Sequence, residues 1–441
     1  MKRNLGRLCA VMLAVCLLLS MAACADNETP ATEPESNEVS EMFTTNSTTT
    51  TAASTATTGE NAVTSTAPTT TTSTSSPSSK TTISTTRSTV VTTAATTVPD
   101  NSPTLLKMND PALRYMGRTA ETADKACLDW SASFVELRVR GGSVRMQLEA
   151  EDNGDAACVH VSVSINGDRT QTVRVTESGW YTLAEYLPEN EVTTVRLTRL
   201  TEASLGAMDL TGIEITGKLE ARPADSQRRI IWIGDSITAG YGNLAREHDP
   251  FTSETEDATQ TYAALASDIL GADYHIIAGS GYGVATSNGG SRVTGLMPMV
   301  YSYQSIPRGA GLQWDHSKFQ PDLVVVNLGT NDWAGSFGSE EKLNEGAAYM
   351  QEGIDAFLKD LRKAHPDATI VWAYGLMIEQ FSTEVRTAVE AFAKNDPKVH
   401  YIQMPLQDPA DGHGAGGHPS ANTHLKAAAT LAAELKTLLS W

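Results

Sequence analysis

The feature that most restricts the fold of this chain is the alternation of strand-like and helix-like segments from Arg228 onward. The run Leu323 to Val326 is apolar on both faces, which is typical of a central strand in a parallel sheet. This alternation predicts an α/β domain over residues 228–441, built as a doubly wound parallel sheet. The predicted strands are 230–233, 275–277, 323–326, 369–374 and 400–403, and the predicted helices are 262–270, 340–364, 383–394 and 421–439.

The first predicted strand runs directly into Gly234-Asp235-Ser236. Ligands of open α/β sheets bind at the carboxyl ends of the strands, so this turn lies where an active site is expected. A serine there has an exposed hydroxyl and a backbone N–H near a helix N-terminus, as a nucleophile requires. Ser236 is therefore a candidate nucleophile, and the alternative interpretation is an ordinary helix N-cap serine.

Three later loops also follow predicted strands. The loop 278–283 is rich in glycine, which lets backbone amides point freely into a cleft. Asn331 follows the strand 323–326, and its side chain can donate a hydrogen bond to an oxyanion. His418 precedes the last helix, where its imidazole can take a proton from a serine hydroxyl.

These four loops, in this order, resemble the sequence blocks of the SGNH (GDSL-type) hydrolase superfamily. The resemblance implies a flavodoxin-like SGNH fold and a serine esterase with Ser236 as nucleophile and His418 as base. It assigns the oxyanion hole to the backbone N–H groups of Ser236 and Gly281 and to the side chain of Asn331. It implies no metal or organic cofactor.

One residue of the superfamily pattern is missing. SGNH enzymes usually carry an Asp two or three residues before the catalytic His, where this chain has Gly416 and Ala415. Either a main-chain carbonyl orients His418, as described for some members of the resembled family, or a nearby acid does so. Asp411 is the candidate orienting acid and Asp408 a second one, and we favour the carbonyl. A metal site at His413, His418 and Asp411 is disfavoured because His-x4-His is not a recognised ligand spacing.

Residues 104–222 show a different pattern, in which apolar and polar residues alternate with a period of two. Asn166-Gly167 lies between two such runs and is a strong hairpin signal. Short strands separated by turn residues predict an all-β sandwich or jelly roll preceding the α/β domain. The region has no catalytic cluster, so we expect either a binding module or a packing partner.

The two domains together resemble carbohydrate esterase family 2, on the motifs 115–118, 314–322 and 329–333. The resemblance implies removal of O-acetyl groups from plant cell-wall polysaccharides such as acetylated xylan, mannan or glucomannan. Trp333 and Tyr282 flank the predicted oxyanion donors, and the resemblance favours a role in stacking on sugar rings. The alternative for both is a core aromatic residue.

Two other functions remain open. A lipase or thioesterase of the same superfamily needs an apolar acyl channel, whereas these loops are rich in Gly, Ser, Thr and Asn. A surface glycan-binding protein without catalysis would suit the layout, but the retained Ser236, Gly281, Asn331 and His418 argue against it.

Residues 1–23 have the basic start and short apolar run of a signal peptide. The sequence 21–24 resembles a bacterial lipoprotein cleavage site with Cys24 as the lipidated residue; cleavage after Ala25 is the alternative. We therefore expect an extracellular protein anchored by lipid at the cell surface, or else a secreted soluble one. Residues 24–103 are rich in Thr, Ser, Ala and Pro and predict a disordered tether.

A net charge of −19 argues against nucleic-acid binding, which needs a basic surface. From the cleavage-site pattern, we expect contact with the membrane only through the lipid at Cys24. From the family resemblance, we expect an acetylated polysaccharide or oligosaccharide as the substrate. Cys127 and Cys158 lie in the predicted β domain, where they can pair or remain as buried thiols.

Overall fold

In a computed structural model of the chain, the described residues are 102–150, 154, 157–246 and 248–441. These residues belong to one compact unit. The predicted signal peptide, Cys24 and all but the last residues of the predicted tether lie outside them. No helix in the described part of the chain is long and apolar enough to cross a bilayer.

The N-terminal domain is all-β, as the alternating pattern predicts. Two antiparallel sheets form it, one ordered β1-β10-β5-β8 with β3 beside β10, the other ordered β11-β4-β9-β6-β7 with β2 beside β4. The strands are β1 Thr104–Leu106, β2 Arg114–Met116, β3 Ala126–Cys127, β4 Phe134–Arg140, β5 Gly142–Ala150, β6 Val159–Ile165, β7 Asp168–Val175, β8 Gly179–Leu187, β9 Thr193–Arg199, β10 Met208–Ile215 and β11 Lys218–Glu220.

The alternation of apolar residues and the turn residues between them explain the strands of the β domain. Val144, Met146 and Leu148 alternate along β5 and are fully buried between the two sheets. Asn166 and Gly167 have φ of 52° and 95°, which suits a tight turn between β6 and β7 and confirms the predicted hairpin.

The C-terminal domain contains a parallel sheet ordered β13-β12-β14-β15-β16. This is the flavodoxin-like order, so the predicted fold class is confirmed. The strands are β12 Arg229–Gly234, β13 Asp273–Ala278, β14 Leu323–Asn327, β15 Thr369–Tyr374 and β16 Val399–Gln403. The helices are α1 Ser236–Ala239, α2 Tyr262–Leu270, α3 Met297–Val300, α4 Thr330–Gly335, α5 Glu340–Ala364, α6 Ser382–Ala393 and α7 Ala421–Leu439.

The two domains share one apolar core. Met116, Trp130 and Phe134 of the β domain belong to the same buried cluster as Ile231 and Ile277 of the parallel sheet. Burial of apolar surface is the main favourable term in folding, so this shared cluster stabilises the contact between the domains. Of the two roles expected for the β domain, the structure therefore supports that of a packing partner.

Charged groups also join the domains. Arg114 Nη2 donates to Asp273 Oδ1 at 2.5 Å, and Arg308 Nε donates to Asp129 Oδ2 at 2.5 Å. Asp129 is almost completely buried, and the pairing with Arg308 compensates for its removal from water. Cys127 and Cys158 are both buried free thiols in this structure.

Candidate active site

Ser236 lies at the turn between β12 and α1, at the carboxyl edge of the parallel sheet. The helix is capped by Asp235, whose Oδ1 accepts from the Ile237 N–H at 3.0 Å. The capping function therefore belongs to Asp235 and leaves the Ser236 hydroxyl free for other partners. Gly234 is required before this turn, because a Cβ atom there would lie 2.0 Å from Thr238 Oγ1.

His418 contacts this hydroxyl directly. Its Nε2 lies 2.8 Å from Ser236 Oγ, and its Nδ1 lies 3.0 Å from the Ala415 carbonyl oxygen. A carbonyl only accepts hydrogen bonds, so Nδ1 carries the proton and Nε2 is left as an acceptor. The structure thus brings the two predicted catalytic residues together with the imidazole in the tautomer that a general base needs.

Asp411 is not brought to His418. Its Oδ1 accepts from Lys426 Nζ at 2.5 Å, and its carbonyl oxygen accepts from Ser420 Oγ at 2.9 Å. The hypothesis that Asp411 is the orienting acid is therefore corrected: the 3₁₀ turn at 415–417 points the Ala415 carbonyl at the ring instead. Asp408 Oδ1 accepts from the Ala410 N–H in its own turn at 2.9 Å.

The environment of His418 keeps its ring neutral. Burial lowers the pKa of His418 below 6.5, and hydrogen bonds to the Ala415 and Gly416 backbone oppose the shift. A neutral imidazole is the form that accepts a proton, so the base is ready at neutral pH.

The loops that carry the predicted oxyanion donors Ser236 and Gly281 are adjacent, because the Gly279 N–H donates to the Gly234 carbonyl oxygen at 3.3 Å. Gly281 has φ of 81°, a left-handed conformation that favours glycine. In the described residues, neither the Ser236 nor the Gly281 N–H donates to another group of the chain. Two unpaired N–H groups in these loops are what an oxyanion hole requires.

Asn331, the third predicted donor, is buried on α4. Its Nδ2 donates to the Tyr282 carbonyl oxygen at 2.9 Å and to Asp235 Oδ2 at 3.2 Å. The amide thus joins the nucleophile turn to the glycine loop. An oxyanion role requires Asn331 to exchange one of these bonds when substrate binds, and the longer bond to Asp235 is the weaker of the two. Burial, followed by the charge of Asp332, raises the pKa of Asp235 to about 7.

Asp332 is a positioning residue that the sequence reasoning missed. Its two carboxylate oxygens accept from the backbone N–H groups of Val284, Ala285 and Thr286 at 2.7–2.9 Å. Burial raises the pKa of Asp332 to about 6, and the three hydrogen bonds oppose this rise because they stabilise the charged form. The carboxylate fixes the segment that follows the glycine loop. Its place beside Asn331 in the Gly-Thr-Asn-Asp motif was the available signal.

The two predicted aromatic residues differ in position. Tyr282 packs against the apolar core, which agrees with the core interpretation. Trp333 is half-buried on α4, with its ring 5.6 Å from that of the largely exposed Phe337.

Tyr241 was not predicted at the site. Its ring centroid lies 4.6 Å from that of His418, and it stacks on Phe251 at 3.9 Å. An aromatic ring thus lies next to His418, and Trp333 shares a short helix with Asn331. In the part of the chain that the structure describes, no group of three or more His, Cys, Asp or Glu side chains is arranged to hold a metal ion.

Two family profiles match the chain in succession. The carbohydrate esterase 2 N-terminal profile matches residues 115–224, and that of the GDSL-like lipase/acylhydrolase family matches residues 232–426. The boundary between the two matches coincides with the change from antiparallel to parallel strands.

Among curated proteins, the cellulase/esterase CelE of Acetivibrio thermocellus is 33% identical over 350 residues, which are 76% of this chain and 40% of that protein. The chain thus spans less than half of CelE. An acetylxylan esterase/glucomannan deacetylase of Cellvibrio japonicus is 24% identical over 339 residues, 76% of this chain and 90% of that one.

Among solved structures, a family two carbohydrate esterase from Clostridium thermocellum, in complex with cellohexaose, aligns with a TM-score of 0.67. The identity is 30%, and the alignment covers 75% of this chain and 99% of that one. Both domains are therefore matched in order and in fold, and the chain belongs to carbohydrate esterase family 2.

Proposed function

We propose that this protein is a serine esterase that removes O-acetyl groups from plant cell-wall polysaccharides such as acetylated xylan, mannan or glucomannan. The observation that carries the proposal is the contact of His418 Nε2 with Ser236 Oγ at 2.8 Å, with Nδ1 held by a backbone carbonyl. A serine hydroxyl bonded to an oriented, neutral imidazole is the arrangement of an activated nucleophile.

The reaction follows from this geometry. His418 takes the proton of Ser236 as Oγ attacks the acetyl carbonyl, and the N–H groups of Ser236 and Gly281, with Asn331, stabilise the oxyanion. His418 then gives that proton to the departing sugar oxygen, which leaves an acetyl-serine. A water molecule, deprotonated by His418, attacks this ester, and acetate leaves as Ser236 Oγ recovers its proton.

The substrate class rests on the relatives and on the surface of the cleft. The relatives are named acetylxylan esterase/glucomannan deacetylase and cellulase/esterase, and the solved relative is in complex with cellohexaose. In this chain, Trp333 lies on the helix that carries Asn331, and its ring contacts that of the exposed Phe337, which follows the helix. Aromatic faces of this kind suit the apolar faces of sugar rings.

The proposed location is the outer surface of a bacterial cell, with the protein held by lipid at Cys24. The support is the sequence pattern at residues 1–24. In the native host, Cys24→Ala should move the protein from the membrane fraction to the medium. Unchanged partitioning would favour simple secretion after cleavage at Ala25.

A substrate panel tests the function. Acetate release is measured from acetylated xylan, acetylated glucomannan and simple 6-O-acetyl sugars, with Ser236→Ala as the matched control. We expect release by the wild type only. On p-nitrophenyl esters, a preference for acetate supports the deacetylase, and a preference for long acyl chains supports the lipase. Polysaccharide binding without turnover of any ester would refute the esterase and support a glycan-binding protein.

A further inference from the structure

The glycine loop of the active site is attached to a residue of the β domain. Glu202, which follows β9, is 2% exposed, and its Oε2 accepts from the Ser280 N–H at 2.7 Å. Ser280 immediately precedes Gly281, whose N–H is a predicted oxyanion donor. A carboxylate from one domain therefore binds the backbone next to the proposed oxyanion hole of the other.

This loop needs an external tether. Ser280 is flanked by Gly279 and Gly281, and glycine places little restraint on the backbone around it. The backbone ties at its ends run from the Gly279 N–H to the Gly234 carbonyl at 3.3 Å and from the Asn288 N–H to the Gly281 carbonyl at 2.9 Å. Within the loop, the Tyr282 N–H also donates to the Gly279 carbonyl at 3.2 Å. The bond to Glu202 is shorter than these three backbone bonds, and it acts on the Gly279–Ser280 peptide.

Glu202 is itself held rigidly. Its backbone N–H donates to Glu256 Oε1 at 2.7 Å, and its carbonyl oxygen accepts from Arg199 Nη2 at 2.7 Å. Arg199 is fully buried and also donates to the Thr201 carbonyl at 2.7 Å and the Gly206 carbonyl at 2.8 Å. A tether can position a loop only if its own anchor is fixed, and this network supplies the anchor.

We propose that Glu202 is a positioning residue for catalysis, through which the β domain orients the Ser280–Gly281 backbone and so aims the Gly281 N–H at the oxyanion. This inference rests on the proposed esterase function of Ser236. Glu202 touches no reacting atom and acts through Ser280.

Opposing effects act on the pKa of the Glu202 carboxyl group. Burial raises the pKa of Glu202, while hydrogen bonds from Ser280 and Ser204 and the charge of Arg199 oppose the shift. Burial also raises the pKa of Glu256, and the charge of Glu202 adds to that effect. What Ser280 requires is one buried acceptor oxygen, so a glutamine, which keeps a carbonyl oxygen, should serve nearly as well.

The test compares Glu202→Ala, Glu202→Gln and the control Glu136→Ala with the wild type, in the full chain, on p-nitrophenyl acetate. Glu136 is a suitable control because it is a glutamate of the same domain, is 3% exposed, and pairs with Arg114 and Arg196 away from the glycine loop.

We expect Glu202→Ala to lower kcat about 10- to 100-fold, less than the 10²–10³ lost with a complete oxyanion donor, and KM to change by less than about threefold. Glu202→Gln should keep kcat within about threefold of the wild type. Glu136→Ala should lower the Tm and leave kcat within about twofold.

An unchanged kcat in Glu202→Ala, with an active wild type, would overturn the inference and leave the esterase function standing. Equal losses of kcat in Glu202→Ala and Glu136→Ala would also overturn it, because the effect would then be general loosening of the domain contact. An inactive wild type would refute both the role of Glu202 and the proposed esterase function. Should Glu202→Ala fail to fold, Glu202→Asp replaces it: the carboxylate is withdrawn by one methylene, so a kcat equal to that of Glu202→Gln would refute positioning.

Discussion

The two domains use buried polar groups in opposite ways. In the α/β domain they converge on the ends of the strands, where His418 contacts Ser236 and Asn331 donates to the neighbouring Asp235. In the β domain they face the other domain: Arg114 pairs with Asp273, and Asp129 with Arg308. Buried charges are costly unless paired, so those of the β domain fix how the two domains meet. The β domain, which carries neither Ser236 nor His418, thus helps to hold the α/β domain in place.

Substitutions of Ser236, Asn331 or His418 should therefore lower turnover without loss of stability. Substitutions of the charge pairs between the domains should lower stability without loss of turnover. Glu202 differs from those pairs because it bonds to the glycine loop and should affect turnover through Ser280.

Ser236→Ala should have the largest effect, a fall in kcat of more than about 10³, because the described cleft has no second group in contact with His418 Nε2 that can form the acyl-enzyme. The Tm should stay close to that of the wild type, since only one oxygen atom is removed. Acetate release and thermal unfolding measure the two quantities. Residual release above about one thousandth of the wild-type rate would indicate another nucleophile.

Asn331→Ala should lower kcat by about 10²–10³ with little change in KM, the loss expected for one oxyanion donor. Trp333→Ala, on the same short helix, is the control and should raise KM for polysaccharide with a smaller change in kcat. Steady-state kinetics on acetylated xylan separates the two. A change in KM alone for Asn331→Ala would assign this residue to substrate binding.

Arg308→Ala tests the domain contact. It leaves the buried Asp129 without its charged partner, which should lower the free energy of unfolding by about 3 kcal/mol. Urea unfolding measures this loss, and kcat below the unfolding transition should stay within about twofold. Lys359→Ala removes an exposed pair with Asp355 and should cost less than about 0.5 kcal/mol. Equal losses in the two variants would contradict the structural role of the buried pair.

The pH dependence of kcat/KM should show an acid limb with its midpoint below pH 6.5. Burial lowers the pKa of His418, and only the neutral ring accepts the proton of Ser236. Activity should fall about tenfold per pH unit below that midpoint. A midpoint above 6.5 would contradict the burial of His418.

Loss of activity through acid unfolding has to be distinguished from the acid limb of the kcat/KM profile. Burial lowers the pKa of His365 and His424 to about 3, below the unfolded value of 6.5. The stability that these histidines contribute is therefore fully present above pH 6.5 and is lost as the pH falls toward 3. Thermal unfolding measured across the same pH range identifies the range in which the protein remains folded.

The helices were predictable because their signals are local. The bounds of α2, α5 and α7 agree with the prediction, and their N-caps Thr261, Ser339 and Ser420 precede regular apolar periodicity. The pairing of the β strands was not predictable in this way. A period of two shows that one face is buried but not which strand lies alongside. Thus β4 and β5, which are consecutive at Gly141-Gly142, lie in different sheets.

The site residues also divide into those that could be predicted from the sequence and those that could not. Ser236 and His418 belong to loop motifs at strand ends, so their proximity could be predicted from the chain order of the motifs. Glu202 and Tyr241 carry no such motif: Glu202 reaches the site through the contact between domains, and Tyr241 through the tilted contact of its ring with that of His418. Contacts of this kind depend on tertiary packing and leave no periodic trace in the sequence.

The smallest expected effect concerns Asp411. In the structure its carboxylate binds the exposed Lys426, and the Ala415 carbonyl orients His418. Asp411→Asn should therefore change kcat by less than about tenfold, which is under about 1.4 kcal/mol in the barrier. Lys426→Met, which removes the other partner of the pair, should have an equally small effect. An acid that served a Ser-His-Asp triad would instead give a fall of about 10⁴ on conversion to Asn, because the imidazolium formed during attack would lose its charge partner. A loss of that size in Asp411→Asn, with unchanged thermal stability and an active Lys426→Met, would show that the loop 412–417 refolds during catalysis. In that case the α/β domain would not hold a preformed site, and the contrast with the β domain would fail at the loop that carries His418.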